Sequence, residues 1–124
     1  MDDKEKLINE TLLEADSYTG KLIIGINNYL ESIDSGNSSS VSGLLVDITN
    51  GIEWLFSALS LLDKELQNAF ETSEHNKLFS EINTAINNKD VVMLGDLFRY
   101  ELLPVLNDWK NKMDNDISIR KLND

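Results

Sequence analysis

VSGLLVDITNGIEWLFSALSLLDKELQNA, residues 41–69, decides the fold. Val41, Leu45, Ile48, Ile52, Leu55, Leu59, Leu62, Leu66 and Ala69 follow one another in alternating steps of 4 and 3. A mean step of about 3.5 lies close to the roughly 3.6 residues of a helical turn, so these side chains form one seam along one helix. A strand would need a period of about 2. Upstream, Ile8, Leu12, Ala15, Thr19, Leu22, Ile26, Tyr29 and Ile33 repeat the pattern.

Asp2 with Glu5 suits the start of the first helix, and Asp34-Ser35-Gly36-Asn37 suits its end. The serine run 38–40 offers caps for the second helix, which is expected to end near Phe70. The short link makes the two long helices antiparallel neighbours. Thr72 and Ser73 offer caps for a short third helix with Leu78, Phe79, Ile82, Ala85 and Ile86 inward. Asp90 caps a fourth, whose seam runs Val91, Leu94, Phe98, Leu102, Val105, Trp109 and Met113. Two consecutive steps of 4 mark a slip in that seam. Pro104 stands in the same region, where it removes a helical hydrogen bond and costs about 3 kcal/mol in a helix interior. The expected fold is a single all-α domain over 1–124: an antiparallel four-helix bundle with a long first hairpin and a proline-kinked fourth helix. The tail, about 117–124, has no period and is expected to fray.

The chain of 124 residues carries 22 acids against 11 bases, a net charge of −11. That field repels nucleic-acid phosphate and anionic membrane, which leaves protein as the expected partner. The imbalance is uneven: residues 1–88 hold 15 acids and 5 bases, and residues 89–124 hold 7 and 6. The C-terminal part is therefore where an acidic surface could approach. No cysteine is present, which excludes disulfides and thiolate chemistry. The acidic start lacks the form of a signal peptide, and no uninterrupted apolar run approaches membrane-spanning length. A cytoplasmic location is expected, in which the Asn37-Ser38-Ser39 acceptor pattern has no meaning. Fourteen Asn with many Lys and Ile hint at an AT-rich bacterial genome.

Catalytic, cofactor and metal sites are not expected. A di-iron bundle needs two imidazoles, and His75 is the one histidine, read as an exposed first-turn residue. Asp114-Asn115-Asp116 opens like a calcium loop but lacks its glycine and its twelfth ligand. The glycines form no phosphate-cradling loop; those inside helices are read as places of close helix approach. Glu101 has Leu97, Phe98, Pro104 and Val105 as its helical neighbours, so nothing on its own helix tunes it as a base. Binding remains. A kink at Pro104 would free the Tyr100 carbonyl and open a groove lined by Leu97, Leu103 and Leu106, all off the seam. On the second helix Trp54, Ala58 and Leu61 share an off-seam face, Phe56 flanks the seam, and an exposed Trp54 would anchor a partner. The partner-binding residues are thus Trp54, Leu61, Leu97, Tyr100, Leu103 and Leu106.

AINNKDVVMLGDLFRYELLPVLNDWKNKM, residues 85–113, resembles the last helical hairpin of flagellar export chaperones of the FliS type. Asn87, Lys89-Asp90, Leu94, Leu97, Leu103, Leu106 and Trp109 carry the likeness, and TGKLIIGINNYLESI, 19–33, is distantly similar to that family's first long helix. The family's Met-Leu-Tyr-Asp-Gly signature is replaced by Ile-Gly-Ile-Asn-Asn, and Pro104 is a further departure. The resemblance implies a bundle whose apolar grooves hold a partly unfolded client as helices. On this reading the protein is a non-enzymatic chaperone or adaptor; the alternative is a structural protein whose partner is itself, as a homodimer.

Overall fold

A computed structural model describes residues 2–36 and 41–122, residues 41 and 42 by their backbone alone. All regular structure among them is helical. Helix α1 spans Asp3–Asp34 and α2 Val41–Glu65. A 3-10 turn at Thr72–His75 leads into α3, Asn76–Asn87. Three consecutive pieces then run without a break and are together called α4: α-helix Val91–Asp96, a π turn Leu97–Leu102, and α-helix Leu103–Arg120. The serine run 38–40, the Asn37 acceptor pattern and the side chain of Val41 lie outside the described residues.

Asp2 caps α1 by accepting the Glu5 N–H at 2.7 Å. Of the seam predicted on α1, every member from Ile8 to Tyr29 is buried and Ile33 is half-buried. On α2 Ile48, Ile52, Leu55, Leu59 and Leu62 are buried, Leu45 and Leu66 half-buried, and Ala69 exposed. α1 is paired with two antiparallel neighbours. Against α2, Lys4 pairs with Glu65 at 2.7 Å and the Tyr18 ring meets Trp54 edge-on at 5.2 Å. Against α4, Arg120 reaches Glu5 at 2.8 Å, Lys110 reaches Asp16 at 3.0 Å, and Arg99 reaches Asp34 at 3.0 Å. Three of the bases in residues 89–124 thus face acids of α1, so part of the charge asymmetry along the sequence is met inside the fold.

By length and composition Gly43–Glu65 would suffice to cross a bilayer, with a mean hydropathy of 1.3. Its apolar stripe is instead turned onto α1, and Asp47, Glu53 and Asp63 interrupt its length.

Helix α2 stops at Glu65, short of the expected Phe70. Asp63 is the reason: its carboxylate accepts the N–H of Phe70 at 2.7 Å and the N–H and hydroxyl of Thr72 at 3.0 and 2.7 Å. Gln67, Asn68 and Glu71 take left-handed φ angles to bring those groups round. Thr72, expected as a helix cap, is buried in this clasp and accepts the Ser60 hydroxyl at 3.2 Å. The Trp109 indole N–H closes the loop from α4, donating to the Phe70 carbonyl at 2.9 Å.

The seam of α4 differs from expectation beyond Leu102. The buried side chains are Leu94, Leu97, Phe98, Leu102, Leu106, Trp109, Met113 and Ile117, whereas Val105 is half-buried and Val91 exposed. Three α-helical turns cover about 11 residues. From Leu94 to Leu106 there are twelve, and the extra one is what a π turn inserts. Within that turn the Leu103 N–H reaches back to the Phe98 carbonyl, five residues away. Pro104 consequently stands in the first turn of the next α-helical piece, where a missing N–H is tolerated.

The tail is helical to Arg120 and not frayed there. Ile117 is buried one turn beyond Met113, and Arg120 bonds Asp116, Glu5 and Asn9. Lys121, left-handed at φ 58°, ends the helix with its N–H on the Ile117 and Ser118 carbonyls. Residues 123–124 lie outside the described residues.

Candidate functional site

Two of the six residues predicted to bind a partner are core. Leu97 is 4% exposed and Leu106 1%; Leu97 lies one helical turn from buried Leu94, and the residue inserted by the π turn brings Leu106 inward. Neither lines the two apolar clefts between α2 and α3, and Leu97→Asp would place an unpaired charge in the core and destabilise the fold rather than test binding. Tyr100 is 68% exposed on α4, Leu61 61% exposed on α2, and Leu103 half-buried. Trp54 is 42% exposed, its ring braced by Tyr18; Ala58 beside it is buried. None of the six lines the cleft in which α2 and α4 come together, whose walls hold Leu45 and Val46 facing Val91 and Leu94.

That cleft, about 430 Å³, also runs between α2 and α3. Leu45 and Val46 of α2 lie opposite Ala85 and Ile86 of α3 there, with Tyr29 of α1 in the floor. A second cleft, about 220 Å³, continues the line with Thr49, Ile52, Glu53 and Phe56 facing Phe79, Ile82 and Asn83. Positions 45, 49, 52 and 56 are successive turns of α2, and 86, 82 and 79 are successive turns of α3 in the reverse direction. The two clefts are distinct but lie in line along α2 over about three turns, roughly 16 Å at about 1.5 Å per residue, and are together called the groove.

The floor is fully buried by Ile52, Ile82, Ala85 and Leu94. The walls are large apolar side chains left half-covered: Leu45, Phe56, Phe79 and Ile86, with the two rings 4.5 Å apart. Exposed Val46, Val91, Val92 and Met93 extend the apolar surface at the α4 end. Sequence reading placed Phe79, Ile82, Ala85 and Ile86 in a core stripe, and that stripe is what forms the groove wall. The α3–α4 turn fixes the open end: Lys89 is left-handed at φ 54°, and the Asp90 side chain caps α4 by accepting the Met93 N–H at 3.1 Å.

Polar groups are few along this groove. The Thr49 hydroxyl is taken up by the Leu45 carbonyl at 2.8 Å. Glu53 marks one end, Lys89 and Asp90 the other. In the floor the Tyr29 hydroxyl is buried with no partner among the described residues, and burial pushes its pKa above the ordinary tyrosine value.

A more polar crevice lies on the other side of α3, where Glu74, His75, Glu81 and Glu101 come near one another. Glu101 is exposed in it. His75, expected to be exposed, is half-buried with its ring edge-on to Trp109 at 5.5 Å. Among the described residues no group of three or more His, Asp or Glu side chains is arranged to hold a metal ion.

No curated protein and no solved structure matches the chain. Residues 10–112 match a protein family, a stretch that contains every residue of the groove. The chain belongs to that family, described as Domain of unknown function (DUF8042).

Proposed function

We propose that this chain is a non-enzymatic protein-binding module, a chaperone or adaptor that holds an apolar helical segment of a client protein. The four helices serve as an antiparallel bundle with a long first hairpin and with α4 bent at the wide turn before Pro104. The client lies in the α2–α3 groove. The observation that carries this reading is the row Leu45, Phe56, Phe79 and Ile86: four large apolar side chains, half-covered over three aligned turns. Each such side chain gains about 25 cal/mol per Å² when its remaining surface is covered. The likeness to flagellar export chaperones of the FliS type agrees with a helix-holding role, and a bacterial cytoplasm is the setting it implies.

The test is a photo-crosslinking residue placed at Val46 or Val91, at the mouth of the groove, with Leu7 on the outer face of α1 as control. In cells of the native host the groove positions are expected to capture one client through an apolar helical segment, and the control position not to. Equal capture from all three positions would sink the reading.

A self-associating structural protein is the second reading. The exposed cluster Val46, Val91, Val92 and Met93 favours it, since a second copy could cover those side chains. Light scattering separates the two: a monomer at micromolar concentration supports the adaptor, and a stable dimer that covers Val92 supports the structural protein.

A further inference from the structure

We infer that the occupant of the α2–α3 groove is a basic amphipathic α-helix, an inference that rests on the binding role proposed above. Both walls are helices, so their backbone N–H and C=O groups are bonded internally and offer no strand edge to an extended peptide. An occupant must therefore satisfy its own backbone, which a helix does. The three aligned turns of the groove call for apolar anchors at i, i+3 or i+4, and i+7.

Charge sets the flanks of that helix. Glu53 lines one of the two clefts with no cation paired to it among the described residues, Asp90 lines the other, and Lys89 is the base among the lining residues. The whole chain carries a net −11, a field that accelerates the approach of a cation and opposes an anion. A second copy fits poorly. The outward face of α2 spaces Val46, Trp54 and Leu61 two turns apart and sets Asp47 and Glu53 beside them. It would bring acid to acid.

The experiment uses the full chain and three labelled peptides of about four turns: one with a three-turn leucine stripe flanked by lysines, one with the same stripe flanked by glutamates, and one lysine peptide with the stripe scrambled. Fluorescence anisotropy is expected to show the lysine-flanked stripe binding at least about tenfold tighter than the glutamate-flanked one, with the scrambled peptide silent. Glu53→Lys is expected to narrow that gap, and Val46→Asn with Val91→Asn to weaken both striped peptides. Equal binding of the two striped peptides overturns the charge inference and leaves the groove standing. Failure of both, or binding unaffected by the valine substitutions, removes the groove itself. A scrambled peptide that binds as well as the striped one reduces the interaction to bulk electrostatics and overturns the inference.

Discussion

Gly51 of α2 stands under the Tyr18 side chain of α1, and a Cβ there would strike the Tyr18 ring and hydroxyl. Tyr18 in turn braces Trp54, so the absence of one methyl group fixes how the tryptophan stands. Gly51→Ala is expected to lower stability by about 1–3 kcal/mol through overpacking and to shift the Trp54 emission. Gly25 is the control. A Cβ there meets Ile48 at an ordinary 3.9 Å, so Gly25→Ala is expected to raise stability by up to about 1 kcal/mol from helix propensity alone. Chemical denaturation of the pair checks both signs. Tyr29 carries the opposite kind of defect, a buried hydroxyl without a partner among the described residues. Tyr29→Phe removes a desolvated polar atom and keeps the edge contact with Phe98 at 5.6 Å. The variant is expected to be as stable as the wild type or more so by about 1 kcal/mol. A loss above about 1 kcal/mol would mean that the hydroxyl is satisfied.

Within α4 the sequence carried the symptom of an irregular turn without showing its form. Two steps of 4 in the seam signal an inserted residue, and the π turn at Leu97–Leu102 supplies it. Period counting alone returns to 3-4 steps after Leu102 and selects Val105, because it contains no term for a widened turn. Leu106 takes the core position instead. The same turn alters the reading of Pro104, which stands near the start of an α-helical piece rather than in a helix interior. Pro104→Ala is therefore expected to change stability by under about 1 kcal/mol, against the roughly 3 kcal/mol of a mid-helix proline. A gain above about 2 kcal/mol in thermal or urea unfolding would show that the turn does not absorb the proline. α1 and α2 were legible because their seams are long and unbroken; the end of α2 was not, because Asp63 bonds residues up to nine positions away.

Across the whole molecule, the groove could not be read from the sequence. Period and apolarity identify Phe79 and Ile86 as inward and set Phe56 beside the seam of α2, but only the packing of α3 beside α2 leaves them half-covered. The charge pattern was legible in part, since the near-neutral C-terminal stretch is the one whose bases cross to α1. The centre of that contact is Lys110, whose ammonium lies 3.0 Å from both Asp16 and Asp114. Burial, then the hydrogen bond with Asp114, raises the Asp16 carboxyl above its ordinary 3.8 in spite of Lys110. Burial opposes the charge on Lys110 too, but the bonds to Asp114 and Asp16 outweigh it and raise its pKa above 10.5. The signs follow from linkage. Lys110 adds stability below its ordinary value that is lost as pH rises through the raised one. Asp16 binds its proton more tightly folded than unfolded, so its ionisation erodes stability as pH rises from 3.8 to the raised value. Lys110→Met leaves a buried Asp16 without its cation, which is expected to cost about 1–3 kcal/mol near neutral pH after allowance for partial exposure. It also lifts Asp16 further, so the penalty should shrink on acidification, since a protonated Asp16 needs no cation. Urea titrations of both proteins from neutral to acidic pH measure it: converging midpoints on acidification place the cost in the Asp16 charge, and a constant gap would place it in lost packing of the lysine stem.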